Sequence, residues 1–392
     1  MQHQLEVTSL ERPKCLEIHY PSASGRPSVS VWLDALDEMP QLRMLSLLAA
    51  SPVALPARLP SGIRRTITLA SLSVLDLSAS ARDCVLALAH LIIPALTQLR
   101  LTVLSTLHDG SDVQELLPYV SQHIKGFQNN IQSMIVHRGG GIGTSMLAWD
   151  GVNLPKQIQI LDEIPSASLG FSFRDQNWSS ATHAAAFDAA MASLPSENLL
   201  SLTVLNCMNH FSKQVWLHHA QMWSLLQRVC LSPSAVCGFM EMLLEDDGRL
   251  ENPRLPSLTT LVLIAAQLSV RRALRLRHVL MKRVEQGVPL ARLDLHSCTV
   301  TNRAVELLSE IAVDFKFLGP KETFEERERT TSIWDHVGRS LVVQDDSSGE
   351  ESQNDSHTDS DCEIEFDSGD ASAAYWQMLV PTYAYLKSNA PP

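Results

Sequence analysis

The chain has 392 residues, 45% of them apolar and only 6% aromatic, so it carries enough aliphatic surface for a large core built mainly of Leu, Ile and Val. No apolar run approaches the roughly 18 residues of a membrane span, no basic-then-apolar leader opens the chain, and seven scattered cysteines without a C-x-x-C pair suit neither a disulfide framework nor a zinc site. The net charge of −12 is local: 11 acidic residues and no Lys or Arg lie between Asp345 and Asp370, leaving 32 acidic against 31 basic elsewhere, so pI is no guide to nucleic-acid binding.

Lys14 to His19 alternates like a short strand, residues 21–28 read as a loop, and Ser30 to Leu36 starts a short helix. Leu42, Leu45 and Leu47 then set out L-x-x-L-x-L, which Leu72, Leu75 and Leu77 repeat. A helical stripe of Val85, Leu88, Leu91 and Ile92 follows Asp83 as its expected N-cap and stops at Pro94. Leu96, Leu99 and Leu101 give the next strand. Ser111 with Gln114 reads as a capping box, opening a helix with Val113, Leu116, Leu117, Val120 and Ile124 on one face.

Ile131, Met134 and Val136 continue the strands into the glycine cluster Gly139 to Gly143. Lacking the Lys of a G-x-x-x-x-G-K-[ST] phosphate loop, it reads as a flexible loop between repeats. Leu169, Phe171 and Phe173 form a weaker copy, with Ala184 to Leu194 as its helix, and Leu199, Leu202, Val204 and Cys207 restore the full pattern. Lys213 to Met222 reads as a helix, and Leu226, Val229 and Leu231 as a strand. Pro233 after Ser232 opens a helix carrying Val236, Phe239, Met240 and Leu243. Leu258, Leu261, Leu263 and Leu268 lead into a helix through about Glu285.

The clearest unit is Leu290 to Ile311, LARLDLHSCTVTNRAVELLSEI. Leu290, Leu293, Leu295, Cys298 and Val300 follow L-x-x-L-x-L-x-x-C-x-V, and Ala304, Leu307, Leu308 and Ile311 form a helical stripe entered through Thr301 or Asn302. At the fourth repeat position stand Leu16, Leu45, Leu75, Leu99, Met134, Leu169, Leu202, Val229, Leu261 and Leu293, at intervals of 24 to 35 residues. Such units cannot bury their own edges and must stack. The expected fold is an α/β leucine-rich-repeat solenoid over 1–318, with a parallel concave sheet and helices on the convex face, a linker at 319–344 and an acidic disordered tail at 345–392. Cys207 and Cys298, at the ninth position, are expected to bond the turn backbone. In the tail Ser347, Ser348, Ser352, Ser356, Thr358 and Ser360 each precede an acidic residue by three positions, a pattern acidophilic kinases favour.

In such a sheet the leucines point inward and alternate strand residues face the concave surface. The candidate partner-binding residues are Glu17, Asp76, Arg100, His137, Arg228, Arg292, Asp294 and His296. No catalytic, cofactor-binding or metal-ligating set is expected. His218-His219 has no H-E-x-x-H context and reads as two surface histidines. Arg271, Arg275, His278 and Lys282 share one helical stripe, with Arg272, Arg277 and Arg283 nearby. Without interleaved aromatics it reads as a solvated convex face or a dock for the acidic tail, and nucleic acid is not the expected partner.

Four stretches, Leu16 to Leu47, Leu72 to Leu101, Pro253 to Leu263 and Val279 to Val313, together with the acidic tail, resemble the leucine-rich-repeat region of fungal, basidiomycete-type F-box proteins. The resemblance implies a substrate receptor of a cullin-type ubiquitin ligase, binding a protein substrate on the concave face, in the cytoplasm or nucleus and without a cofactor. The L-P-x-E-[IL] type of segment that holds the Skp adaptor does not occur here. Adaptor binding is therefore expected only if an F-box is encoded upstream, an expectation strengthened by how closely the first strand follows Met1.

Overall fold

The computed structural model describes residues 14–19, 29–48, 65–105, 111–125, 131–139, 143–151, 167–173, 180–205, 207, 211–244, 253–311 and 314–318. The expected linker, the acidic tail and the residues before Lys14 lie outside the described residues. The strands are β1 (Cys15–His19), β2 (Met44–Leu48), β3 (Ile67–Thr68), β4 (Val74–Ser80), β5 (Leu91–Ile92), β6 (Gln98–Ser105), β7 (Ser133–Gly139), β8 (Gly143–Trp149), β9 (Leu169–Phe173), β10 (Ser201–Leu205), β11 (Arg228–Leu231), β12 (Thr260–Ile264), β13 (Gln267–Leu268), β14 (Arg292–His296), β15 (Thr299–Val300) and β16 (Asp314–Leu318). The helices are α1 (Val29–Asp37), α2 (Ala81–His90), α3 (Ser111–Ile124), α4 (Ser180–Ser193), α5 (Lys213–Ala220), α6 (Pro233–Leu244), α7 (Val270–Glu285) and α8 (Asn302–Ser309). None of the described helices is long and apolar enough to cross a membrane.

The architecture is α/β: twelve strands form one long, mostly parallel sheet in the order β1-β2-β4-β6-β9-β8-β7-β10-β11-β12-β14-β16, not closed into a barrel. Parallel neighbours need a crossover rather than a tight turn, and helices supply it from β1 to β2, β4 to β6, β10 to β11, β11 to β12, β12 to β14 and β14 to β16. Strand register aligns the repeat positions. One row runs Leu16, Leu45, Leu75, Leu99, Leu169, Ala148, Met134, Leu202, Val229, Leu261, Leu293 and Phe315. Two residues further along the parallel strands, a second row runs Ile18, Leu47, Leu77, Leu101, Phe171, Met146, Val136, Val204, Leu231, Leu263, Leu295 and Phe317. Between the partly buried ends every member of both rows is buried, in one core with helix residues such as Leu33, Val85, Leu116, Phe187, Trp216, Phe239, Leu276 and Leu308. Burying a leucine this fully contributes about 1.5–3 kcal/mol, and each side chain relies on the neighbouring strands to supply that burial.

The spatial order departs from the chain order at one place. The spacing implies that the Leu99, Met134, Leu169 and Leu202 strands follow one another. Instead β9 pairs with β6, β7 pairs with β10, and β8 lies antiparallel between β9 and β7. Interval lengths record distance along the chain, not which strands pair, and β8 has no L-x-x-L-x-L signature. The glycine cluster is correspondingly not simply a loop: Gly139 and Gly143 end β7 and begin β8, directly opposite one another.

Local signals explain the helix entrances and turns. The N-cap of α2 is Ser80, whose hydroxyl accepts from the Asp83 N–H at 3.2 Å, rather than Asp83 itself. Ser269 and Thr301 act likewise before α7 and α8. Ala265 and Ser297, 32 residues apart and each directly after a strand, both adopt left-handed backbone (φ 53 and 52), so one turn geometry recurs in successive units. Cys298 Sγ donates to the carbonyls of Leu263 in β12 (3.3 Å) and His296 at the end of β14 (3.5 Å), and Cys207 Sγ to that of Leu205 at the end of β10 (3.4 Å), so the ninth-position thiols bond strand backbone beside the turn rather than the turn itself. Burial pushes the Cys298 thiol up to about 11.

Two residues assigned to exposed faces by the sequence are buried. Arg283 points inward from α7 and donates to the carbonyls of Arg254 (2.8 Å), Leu255 (3.1 Å) and Leu258 (3.2 Å), clamping a turn in which Leu255 has φ 49. Burial alone lowers its pKa from 12.5 to about 10. The rest of the stripe remains outward, with Arg271, Arg275 and His278 exposed and Lys282 half-buried against the Leu244 carbonyl. His219, read as a surface histidine, is fully buried beside exposed His218.

Candidate functional site on the sheet face

Side chains alternate across a strand, so residues between the two inner rows belong to the opposite sheet face. The row between them runs Glu17, Ser46, Asp76, Arg100, Gly170, Leu147, Ile135, Thr203, Cys230, Val262, Asp294 and Lys316. Arg228 and Arg292 share the row before it, through Thr260, while His137 and His296 stand at the strand position after it. All eight candidate residues thus occupy three adjacent rows of one face. Among the described residues, the helix side chains join the core of the other face and none joins the small cluster of Ile135, Trp149 and Ala167, with Leu147 against it, on this one.

The face is not uniformly solvated. Glu17 and Lys316 are exposed at its ends and Arg100 is exposed on the fourth strand, while Asp76, His137, Arg228, Arg292 and His296 are half-buried. Between the ends Ile135, Thr203, Cys230, Val262 and Asp294 are buried, and burial pushes the Cys230 thiol up to about 12. Two polar patches therefore flank an apolar middle. At the first, Asp76 and Arg100 are register partners on adjacent strands, with Glu17 two strands from Asp76.

The second patch is a charge network on β14 and β16. Arg292 Nε donates to both carboxylate oxygens of Asp294 at 2.9 Å, and its Nη2 lies 2.7 Å from Oδ2. The Asp294 carboxylate holds the Arg292 guanidinium above its ordinary pKa. His296 Nε2 lies 3.8 Å from Asp294 Oδ2, and Asp314 Oδ2 receives Lys316 Nζ at 3.7 Å and Arg292 Nε at 3.9 Å. Asp294 is therefore not a solvated residue awaiting a partner: its side chain is 3% exposed and fixes Arg292, which is 41% exposed and available for contact. Such an arrangement suits recognition of a polar surface by preset charges, with Arg292 held in one orientation.

Two strands that contribute to this face, β8 and β16, escaped the sequence reading. Leu147 and Trp149 belong to β8, whose antiparallel course the repeat pattern does not announce. Asp314 and Lys316 belong to β16, whose D-F-K-F-L alternation, exposed at every second residue, is a legible strand signal after the last full repeat. The chain matches no protein-family model, and no curated protein is similar to it.

Proposed function

We propose that the protein is a leucine-rich-repeat solenoid that binds another protein across the sheet face opposite the described helices, and that it is the substrate-recognition part of an F-box protein in a cullin-type ubiquitin ligase. One observation carries the binding role: register brings the eight candidate residues, distant in sequence, into three rows on one face, while the repeat leucines occupy the other. An extended face with charged patches on either side of its middle offers a partner many simultaneous contacts. The ligase assignment rests on the sequence resemblance.

The test is affinity purification of the full chain with charge reversals on each surface. Proteins retained by wild type should be lost with Arg100→Glu plus Arg228→Glu and kept with Arg275→Glu on α7. Equal loss in both variants would refute a sheet-face site. Co-purification of cullin with the endogenous protein supports the ligase role, whereas retained partners without cullin leave a free-standing repeat scaffold.

A further inference from the structure

We propose that Asp188, His218 and His219 form a binding site for a divalent transition-metal ion of the zinc class, fastening α4 to α5 on the helical side of the sheet. One ligand atom from each residue lies within 4.8 Å of the others, and this is the group of three such side chains found among the described residues. His219 Nε2 already faces Asp188 Oδ1 at 2.9 Å. Its ring is stacked on Trp223, with centroids 5.2 Å apart and planes 15° apart, while the His218 ring meets it edge-on at 4.9 Å.

Tetrahedral coordination with metal bonds of about 2.0–2.1 Å spaces ligand atoms by roughly 3.3 Å. Reaching it requires a small opening of the Asp188–His219 contact and an inward swing of His218. The parts that must move are the ones free to do so: His218 is exposed and the Asp188 side chain is 44% exposed, whereas His219 is fixed and buried. The same exposure leaves a path for the ion and room for a water as fourth ligand. Two imidazoles and one carboxylate favour zinc, copper or nickel over magnesium or calcium.

Metal at Nε2 moves the ring proton to Nδ1. That atom is already buried without a hydrogen-bond partner, so an unpaired lone pair is exchanged for an unpaired N–H.

Topology gives the site a purpose. Helix α4 carries the chain from β9 past β8 and β7 to β10, the one connection that leaves the inverted segment and rejoins the regular stack. A metal there would hold the crossover helix to the next helix where the strand order is broken.

The experiment is titration of the full chain with Co2+, read by its visible absorption, followed by Zn2+ competition and thermal melts with and without Zn2+. Wild type should take up one Co2+ with a tetrahedral or five-coordinate spectrum, lose it to Zn2+, and melt a few degrees higher with Zn2+. His218→Ala, at an exposed position, should melt like metal-free wild type but bind at least 10-fold more weakly and gain no thermal shift. Asp188→Asn, which keeps a hydrogen-bond acceptor for His219, should also weaken binding. Absence of a protein-bound Co2+ spectrum in wild type, or a titration and shift unchanged in His218→Ala, would overturn the proposal. Those two measurements decide the matter even where Asp188→Asn fails to fold.

Discussion

Replacing Arg283 by Met tests whether a buried charge serves as a structural clamp. Its guanidinium makes three hydrogen bonds to backbone carbonyls and is 2% exposed. Burial costs something: the fall from 12.5 to about 10 corresponds to roughly 3 kcal/mol against the charged form. Hydrogen bonds to a charged group contribute about 1.5–3 kcal/mol each, so three outweigh that cost by about 1–6 kcal/mol. Met retains much of the packing volume but leaves the carbonyls of Arg254, Leu255 and Leu258 without this donor. Arg283→Met should therefore lower stability by about 2 kcal/mol in urea unfolding followed by circular dichroism. Arg283→Lys, with a compact ammonium that cannot span the three acceptors, should fall between Met and wild type. Hydrogen exchange should quicken first at residues 253–260. A Met variant as stable as wild type would show that the desolvation cost cancels the bonds and that the clamp is not one.

Leu295→Ala, in the fully buried inner row, should cost about 2–5 kcal/mol, and Asp294→Ala less, about 1–2 kcal/mol, because Arg292 can rehydrate once its buried partner is gone. Equal losses in denaturant melts would mean that the assigned register is wrong. Gly238→Ala should destabilise strongly, since its Cβ would lie 2.5 Å from the Phe211 carbonyl oxygen and 3.0 Å from the Lys213 nitrogen, both backbone atoms that fix the approach of α6 to the start of α5. Gly287→Ala meets nothing within 4 Å and should cost only the strain of φ +76, about 1 kcal/mol, in the same assay. His123 and His219 both have pKa values lowered by burial, so the unfolded chain takes up protons that the folded one refuses. Stability should therefore be fully present above the unfolded histidine pKa of about 6.5 and fall as pH drops below it, and His123→Gln should flatten the slope of melting temperature against pH.

Side-chain parity was the legible part of the fold, and strand order was not. Leucines at positions such as 45, 75, 99, 202, 261 and 293 announce inner-row residues, because a period of two inside each strand places Leu47 with Leu45 and leaves Ser46 opposite. Parity also carried the eight candidate residues to one face. It could not reveal that β9 returns beside β6, since the choice depends on how β8 fits between β9 and β7 with Met146 and Ala148 turned into the core. Nor could it separate Asp294 from Asp76: both follow the same alternation, and only the three-dimensional setting of Arg292 buries one carboxylate and leaves the other half-buried. His219 was misread because a short helix with two adjacent histidines gives no stripe. Its ring stacks on Trp223, which joins through Trp216 an aromatic chain with Phe187, Phe211 and Phe239 that gathers from separate elements.

The inverted segment also shapes the proposed binding surface. The row between Arg100 and Asp294 is already apolar or neutral at Ile135, Thr203, Cys230 and Val262, and the inverted segment widens that gap. There β8 adds Leu147 and Trp149 beside Ile135, between a patch around Asp76 and Arg100 and another around Arg228, Arg292 and Asp294. Five strand spacings separate β6 from β11, about 24 Å at roughly 4.8 Å each. Groups so far apart share no partner and should act independently, so a protein spanning the face would lose binding free energy additively on Arg100→Glu and Arg228→Glu. Once a partner is in hand, calorimetric titration of the single and double variants decides the point. A double variant no weaker than the more severe single one would place the contact on one patch alone and confine the binding surface to that end of the sheet.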